Sequence, residues 1–219
     1  MESELIEQHF ILEENNLWRC KECSGTYENE NECLEHLKDS NLLNDETEKE
    51  IKITRVYSNP SRWTFTIKPI KNLLDKYVKD GKGWIDPFAG MNSPAEFTND
   101  LNPDMKAKEH LWAIEWCQNL TGKYNGILLD PPYSPRQMKE CYNAIGFKPT
   151  TKDTQNSPLY QNVKKAIADK IKIGGYAITC GWNSYGWGKK FGFEIIEILL
   201  VCHSHAHNDT IVIVERKVK

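Results

Sequence analysis

A short apolar run that ends in a proline-rich tetrad constrains this chain more than any other feature of its sequence. Residues 126–129 read Gly-Ile-Leu-Leu, and the tetrad at residues 130–133 reads Asp-Pro-Pro-Tyr. An apolar run closed by prolines predicts a buried strand, and a polar loop is expected from Ser134 onward. In open α/β sheets, ligands bind at the carboxyl ends of the strands. The sequence therefore predicts an α/β fold in which the tetrad borders a ligand-binding cleft.

The tetrad carries groups that suit attack by an exocyclic amine. The lone pair of a nucleobase amine is delocalised into the ring, and two acceptors on its N–H bonds draw that pair back onto nitrogen. The Asp130 carboxylate and the Pro131 carbonyl can be those acceptors, and the two prolines restrict the backbone that holds the carbonyl. Tyr133 offers a flat face for a base taken out of its stack. The catalytic candidates are therefore Asp130, Pro131, Pro132 and Tyr133. For four residues alone, a plain strand-to-turn junction is the alternative.

A second apolar strand with a polar end precedes the tetrad. Residues 83–90 read Gly-Trp-Ile-Asp-Pro-Phe-Ala-Gly, and Gly90 lies 40 residues before Asp130. Together with the tetrad, this segment resembles the motifs of amino-methyltransferases that use S-adenosylmethionine, above all the DNA N6-adenine methyltransferases. Where a third glycine is common in that family, this chain has Asn92-Ser93, a variant that resembles the phage-type enzymes. The resemblance covers residues 61–216 and implies a Rossmann-like class I methyltransferase sheet, trimmed between its second and fourth strands.

The resemblance also implies where the cofactor S-adenosylmethionine binds. A segment before a helix expected over 70–78 is expected to contact its methionine end, and Asp86 is expected to accept a hydrogen bond from its amino group. Gly90 lets the backbone approach the ligand. Asp100 ends a second strand expected over 96–100 and is placed to bind the ribose hydroxyls, with a helix cap or turn as the alternative. The implied cofactor-binding residues are Trp63, Phe65, Asp86, Pro87, Phe88, Gly90, Asn92, Ser93 and Asp100.

One position departs from the family pattern. The family usually carries an acidic residue that binds the adenine amine of the cofactor, and in this chain Trp112 takes its place. The residue lies in a helix expected over 107–120. Either Glu109 or Glu115 could substitute for the missing acid. Weak cofactor binding is therefore expected.

The chain after the tetrad is expected to form the substrate side of the site. Residues 134–160 are predicted to be a basic, proline-containing loop that contacts the recognition sequence of the DNA. A basic helix is expected over 162–172, ended by Gly174-Gly175, and a strand over 176–180 leads to Gly-Trp-Asn-Ser at 181–184. That tetrapeptide resembles the family's wall of the target-base pocket. Two final strands, 193–201 and 210–214, are predicted to form a hairpin. The implied substrate-binding residues are Arg136, Trp182, Asn183 and Lys189.

Charge divides the chain into two parts. Residues 1–50 hold 15 acidic and 4 basic residues, a net −11, whereas residues 51–219 hold 16 acidic and 24 basic residues, a net +8. The second part has the charge expected of a body that binds the phosphates of DNA. No run of about 18 apolar residues is present, and the acidic N-terminus does not resemble a signal peptide. Seven cysteines, several in apolar contexts, suit a reducing compartment, so a bacterial or phage-infected host cytoplasm is expected and no membrane partner is.

The first fifty residues contain the spacing of a zinc finger. Cys20 and Cys23 are followed after twelve residues by His36, and such a set can reach one tetrahedral ion. The usual fourth histidine is absent, and Cys33 is the natural replacement because it shares a helical face with His36. A chance pair of thiols in an acidic tail is the alternative. The net −11 of this module makes it a poor reader of DNA, so a contact with a protein partner or self-association is expected instead.

The sequence predicts two domains, a zinc-binding module and linker over 1–50 and a methyltransferase domain over 51–219. The resemblance implies methyl transfer from S-adenosylmethionine to a flipped adenine in DNA. Cytosine N4 or an RNA adenine as the target stays open, because the same tetrad chemistry serves both. A methyltransferase-like body that no longer turns over and acts as a binding module is another alternative. A protein amide as the acceptor is a further one, against which the net +8 argues.

Overall fold

The computed structural model describes residues 6–7, 9–21, 24–39, 50–204 and 207–219. The chain divides into two compact units, Met1–Lys49 and Glu50–Lys219. Within the described ranges, no helix combines the length and apolar character needed to cross a membrane.

The described residues of the N-terminal unit include three short antiparallel strands and a helix after them. They are β1 (Phe10–Leu12), β2 (Trp18–Cys20), β3 (Thr26–Tyr27) and α1 (Glu30–Asp39). Its small core is formed by buried side chains, namely Ile6, Phe10, Cys20, Cys33 and Leu37. The two cysteines that belong to the expected zinc site and lie in the described ranges, Cys20 and Cys33, therefore share one core.

The larger unit is built on a seven-stranded sheet. Its strands in chain order are β4 (Lys52–Tyr57), β5 (Trp84–Asp86), β6 (Phe97–Thr98), β7 (Tyr124–Leu129), β8 (Ile171–Gly181), β9 (Phe193–Cys202) and β10 (Thr210–Lys217). Their order across the sheet is β4-β9-β10-β8-β7-β5-β6. Strand β10 is antiparallel to β8 and β9, and the other neighbouring pairs are parallel. The expected α/β class is thus found as a mixed sheet, and β5 and β7 end at the same edge.

Helices cover both faces of this sheet. They are α2 (Lys68–Tyr77), α3 (Ala113–Asn119), α4 (Pro135–Ala144) and α5 (Asn156–Ile167). Successive strand residues point to opposite faces, so Leu128 packs in the core that contains α2, whereas Ile127 and Leu129 pack in the core that contains α3 and α5. In α2, the apolar residues Ile70, Leu73 and Leu74 are buried, as the helical i, i+3, i+4 spacing dictates.

Several elements differ from the sequence prediction. The helix expected over 107–120 begins only at Ala113, because the amides of Lys108 and Glu109 donate to the Thr98 carbonyl and hold that stretch extended beside β6. Residues 99–123 contain no further strand, in keeping with the expected trimming, and only a single parallel bridge joins Asn99 to Glu109.

The segment after the tetrad was also predicted incorrectly. It is not a continuous loop, since α4 begins at Pro135 with the Ser134 side chain accepting a hydrogen bond from the Gln137 amide at the N-cap. Proline at the first helical position and serine at the N-cap are a common helix start. Helix α5 ends at Ile167, earlier than expected, and Gly174-Gly175 lie inside β8. Strand β4 was not predicted, whereas the C-terminal hairpin is confirmed as β9 and β10.

Candidate active site

A cavity of about 440 Å³ opens at the carboxyl ends of β5 and β7. It is lined by residues 62–65, 87–92, 100–102, 105, 112–113, 130–133, 137–138, 140–142, 144–145 and 159. Among the predicted site residues, those that line it are Trp63, Phe65, Pro87, Phe88, Gly90, Asn92, Asp100 and the four residues of the tetrad. Those that do not line it are Asp86, Ser93, Arg136, Trp182, Asn183 and Lys189. A volume of this size is in the range of pockets that hold a small ligand.

Two tetrad side chains contact each other at this cavity. Asp130 follows β7 directly, and the Tyr133 hydroxyl donates a hydrogen bond to Asp130 Oδ1. Burial raises the pKa of the Asp130 carboxyl to about 6, and the hydroxyls of Tyr133 and Thr64 oppose that rise by donating to the charged form. Burial, together with the nearby Asp130 charge, raises the pKa of Tyr133 well above its usual value. At neutral pH, the site therefore holds an ionised carboxylate beside a neutral phenol.

The backbone of the tetrad is held by two side chains that the sequence analysis missed. The Tyr160 hydroxyl donates to the Pro132 carbonyl, and the Tyr133 amide donates to Gln137 Oε1 at 2.7 Å. Prolines have no amide hydrogen, so the remaining backbone groups of residues 131–133 are two carbonyls, those of Tyr133 and Pro131, and the predicted acceptor is the carbonyl of Pro131. Within the described ranges, no residue donates a hydrogen bond to it. Because Pro131 also lines the cavity, this carbonyl is a free acceptor at the predicted position.

The turn after β5 is organised by a buried carboxylate. Asp86 Oδ2 accepts a hydrogen bond from the Ser93 hydroxyl at 2.6 Å, and Oδ1 accepts from the Phe88 amide at 2.9 Å. Burial raises the pKa of Asp86 to about 7. Asp86 is fully buried and does not line the cavity. In this structure it stabilises the turn through these two hydrogen bonds. The expected contact with the cofactor's amino group stays a prediction.

The same turn brings Gly90 and Asp100 together. Gly90 has φ +54°, a conformation that favours glycine, and its amide donates to Asp100 Oδ2 at 2.9 Å. Asp100 Oδ1 accepts from the Asn102 amide at 2.9 Å, and burial raises the pKa of this carboxyl. Asp100 lines the cavity as predicted, with part of its hydrogen-bonding capacity used by the backbone. A carboxylate has four lone-pair sites, so it can still accept from hydroxyl groups.

Trp112 lies at the N-cap of α3 and lines the cavity. Its side chain is 44% exposed, and its ring lies 5.7 Å from Tyr142 and 5.6 Å from Phe147, measured between centroids. Glu109 accepts a hydrogen bond from the Trp116 indole at 3.0 Å. Neither Glu109 nor Glu115 lines the cavity. Both aromatic partners were missed because a loop was predicted over 134–160, whereas Tyr142 lies on α4 and Phe147 follows the end of that helix.

The residues expected on the substrate side lie outside the cavity. Arg136 is exposed and pairs with Glu140 one helical turn later, with Nε and Oε1 2.8 Å apart. Trp182 contacts the tetrad, since its ring lies 5.5 Å from that of Tyr133 between centroids. Asn183 accepts a hydrogen bond from the Tyr185 amide at 3.0 Å, and Lys189 lies exposed in a 3₁₀ turn over Lys189–Phe191. Of these four, Trp182 is the residue whose ring packs against the tetrad.

The expected zinc ligands are partly described. Cys20 and Cys33 are buried in the same core, and the His36 ring stacks on Tyr27 with centroids 4.7 Å apart. Cys23 lies outside the described residues. The described residues of the chain contain no group of three potential metal ligands. Zinc binding therefore stays a prediction.

Comparisons with known proteins identify no family. No protein-family model and no curated protein matches the chain. Among solved structures, it is similar to the Burkholderia thailandensis 1,6-didemethyltoxoflavin-N1-methyltransferase, with 11% identity, TM-score 0.47 and coverage of 86% of this chain and 87% of that one. TrmN from Thermus thermophilus has 13% identity, TM-score 0.47 and coverage of 69% and 49%. A methyltransferase homologue from Pyrococcus horikoshii has 12% identity, TM-score 0.43 and coverage of 64% and 63%. Similarity this low carries no argument about activity, which therefore depends on the site itself.

Proposed function

We propose that this chain is a methyltransferase that transfers the methyl group of S-adenosylmethionine to the N6 amine of an adenine flipped out of DNA. One observation carries the proposal. Asp130 and Pro131, consecutive residues that each offer an acceptor, line the same cavity as the Gly90–Asp100 turn. An amine with two N–H bonds matches two acceptors.

The cavity fits the cofactor in several respects. The positive-φ glycine turn lets a ligand approach the backbone at Gly90, Asp100 can accept from ribose hydroxyls, and Trp112 presents a flat ring. When bound, S-adenosylmethionine supplies an electrophilic methyl group on a sulfonium sulfur. A positively charged sulfonium is favoured in a site that contains two carboxylates, Asp130 and Asp100.

The tetrad acts by positioning and electrostatics. Asp130 and the Pro131 carbonyl accept the two N–H bonds of adenine N6 and direct its lone pair at the methyl group. The new N–C bond forms as the S–C bond breaks, and the amine then releases one proton. No strong base is required, because the amine becomes acidic once it carries the methyl group. Tyr133 lines the cavity and offers the base an aromatic face, and Trp182 packs against Tyr133 from outside the cavity.

Product analysis tests this proposal. The full chain is expressed in cells that lack adenine methylation, and their DNA and RNA are digested to nucleosides and examined by mass spectrometry. N6-methyl-2′-deoxyadenosine in the DNA digest, absent when Asp130→Ala is expressed, is the expected result. N4-methylcytosine, or methylated adenosine in RNA alone, would instead establish one of the alternative targets. Digests that match those of Asp130→Ala in every modified nucleoside would contradict nucleic-acid methylation.

A second function is favoured by one observation. Trp112, with 44% of its side chain exposed, stands where an acidic residue is expected to bind the cofactor, so the chain could have become a binding module without turnover. A calorimetric titration with S-adenosylmethionine separates the two functions. Measurable binding supports the enzyme, whereas no binding at millimolar cofactor favours the module.

A further inference from the structure

A loop beside the tetrad, residues 182–188, carries an exposed tyrosine, Tyr185, that the proposed chemistry does not use. It begins at Trp182, whose ring packs against Tyr133. It is followed by two exposed lysines, Lys189 and Lys190. We refer to residues 182–188 as the wall loop. Its first residue therefore borders the tetrad, and two basic residues follow its last residue.

Buried charged groups fix the C-terminal half of the wall loop. Glu215 on β10 is fully buried, and its carboxylate accepts from the Trp187 amide at 2.6 Å and the Gly188 amide at 2.8 Å. Lys164 on α5 is also buried and donates to the Gly186 carbonyl at 2.5 Å. A Cβ on Gly186 would lie 2.4 Å from Glu215 Oε2, so a larger residue there would have to displace the carboxylate that holds the Trp187 and Gly188 amides. The backbone of this half is thus held before any ligand binds.

The tip of the wall loop presents an aromatic ring to solvent. Tyr185 is 83% exposed, the highest value among the exposed large apolar side chains of the described residues. The Asn183 side chain accepts from its amide at 3.0 Å, and the next two residues are the anchored Gly186 and Trp187. Trp187 is buried, with its indole donating to Thr179 Oγ1 at 3.2 Å. A large ring held on a fixed backbone and left in water is suited to a flat partner.

We propose that Tyr185 stacks on a nucleobase of the bound DNA strand, next to the flipped target nucleotide, and so holds the strand at the site. The inference rests on the proposed function, since it places DNA against Trp182 and Tyr133. Charge favours this occupant, because Lys189 and Lys190 follow the loop and residues 51–219 carry a net +8, from 24 basic and 16 acidic residues. Base–aromatic stacking tolerates any sequence, because every base has a π face.

Oligonucleotide binding tests the role of Tyr185. A fluorescein-labelled mixed-sequence 20-mer, single-stranded and as a duplex, is titrated with the full chain and with Tyr185→Ala over a series of salt concentrations. We expect Tyr185→Ala to bind about five- to a hundredfold more weakly with an unchanged slope of log affinity against log salt, because a stacking contact releases no counterions. Lys189→Ala should instead reduce that slope.

Two further variants serve as controls. Tyr185→Phe keeps the ring and should bind like the wild type. Tyr57→Ala removes an equally exposed tyrosine, 76% exposed on the edge strand β4, and should leave affinity unchanged. Tyr185→Ala binding within twofold of the wild type overturns the inference, and so does equal loss in Tyr57→Ala. If only an RNA 20-mer of the same sequence depends on Tyr185, DNA is overturned as the partner.

The binding experiment on Tyr185 and the test of methyl transfer can fail separately. Cofactor titration and nucleoside analysis of the same preparations report on the reaction, whereas the 20-mer reports only on binding. If DNA binding depends on Tyr185 but no methylation is found, the proposed function is contradicted and the stacking contact is supported. If Tyr185→Ala methylates DNA at the wild-type rate and KM, the stacking contact is contradicted and the proposed function is supported.

Discussion

The Tyr133 hydroxyl donates a hydrogen bond to Asp130 Oδ1, so two side chains predicted to receive the substrate contact each other directly. A base amine that binds to Asp130 competes with this phenol for the carboxylate. The Tyr133 ring is partly buried and packs against the core that contains α2. The contact links the ionisation of Asp130 to the position of the ring on which the base is expected to lie.

The pH dependence of the reaction follows from this contact. Burial raises the pKa of Asp130 from 3.8 to about 6, and the carboxyl must be ionised to accept from the amine. We therefore expect kcat/KM to rise with pH through a midpoint near the pKa of Asp130. Tyr133→Phe removes a hydrogen bond that favours the ionised form, so the midpoint should move to higher pH. Rate profiles measured from pH 5 to pH 8 on both proteins check this shift.

Tyr142→Phe is the control for that experiment. Tyr142 also lines the cavity, but the hydrogen bond to Asp130 comes from Tyr133. Its profile should match that of the wild type. A Tyr133→Phe midpoint at or below the wild-type value would show that the phenol does not stabilise the ionised carboxylate.

The side chains that hold the tetrad backbone should affect turnover and not cofactor affinity. Tyr160→Phe and Gln137→Leu each remove one hydrogen bond to residues 131–133 and so loosen the Pro131 carbonyl. A misplacement of about 1 Å can lower a rate about a hundredfold, and we expect kcat to fall about ten- to a hundredfold. Steady-state kinetics and calorimetry with S-adenosylmethionine measure the two effects separately. Gln137→Glu, which keeps an acceptor for the Tyr133 amide, should recover part of the rate, and an equal loss of cofactor affinity would point to a general collapse of the site.

Trp112 is expected to weaken the binding of S-adenosylmethionine. A charge-assisted hydrogen bond to the adenine amine contributes about 1.5–3 kcal/mol, and its absence corresponds to about ten- to a hundredfold in affinity. Trp112 is 44% exposed, so an aspartate at this position stays in contact with water and remains charged. We therefore expect Trp112→Asp to restore the charge-assisted hydrogen bond and to bind the cofactor more tightly. Calorimetry on both proteins gives the comparison, with Glu115→Gln as a neighbouring control. Weaker binding by Trp112→Asp would show that the indole itself holds the adenine by stacking, with its neighbours Tyr142 and Phe147.

Zinc content is the prediction for the N-terminal unit. Cys20 and Cys33 are buried together, and burial raises the pKa of the Cys33 thiol, which a metal ion would reverse by binding the thiolate. Purified protein should carry about one zinc per chain, as a structural site does. The Cys20→Ser/Cys23→Ser double variant should lose it, as measured by elemental analysis. Cys141→Ser, an exposed cysteine of the larger unit, should retain the metal, and a wild-type protein without zinc would refute the site.

DNA affinity of a truncated chain tests the role of the acidic residues. Residues 1–50 carry a net −11, from 15 acidic and 4 basic residues, and this negative charge repels the phosphates of DNA. Deleting residues 1–45 should therefore leave DNA affinity unchanged or raise it at physiological salt. Titration of the labelled duplex used above measures it. A large loss of affinity in a folded truncated protein would show that this unit binds DNA.

Local signals in the sequence were sufficient for the parts of the fold that depend on neighbouring residues. An apolar run followed by Asp-Pro-Pro-Tyr was enough to predict β7 and the position of the tetrad at its carboxyl end. The hairpin of β9 and β10 was also predicted, because its two strands follow each other directly in the chain. The turn after β5 was predicted as well, because the positive φ angle at Gly90 favours glycine at that position. In each case the determining signal lies in one short stretch of sequence or in two strands joined by a short turn.

Contacts between distant residues decided the rest. Tyr160 reaches the Pro132 carbonyl from 28 residues away, and Glu215 holds the Trp187 amide from 28 residues away. No local pattern marks either residue, because their roles arise only when α5 and β10 pack beside the tetrad and the wall loop. The start of α3 was misjudged for the same reason, since pairing with Thr98 keeps residues 108–109 extended. The sequence by itself determined which groups can carry the chemistry, whereas the tertiary structure decided how they are held, because buried polar groups must find hydrogen-bond partners wherever the folded chain provides them.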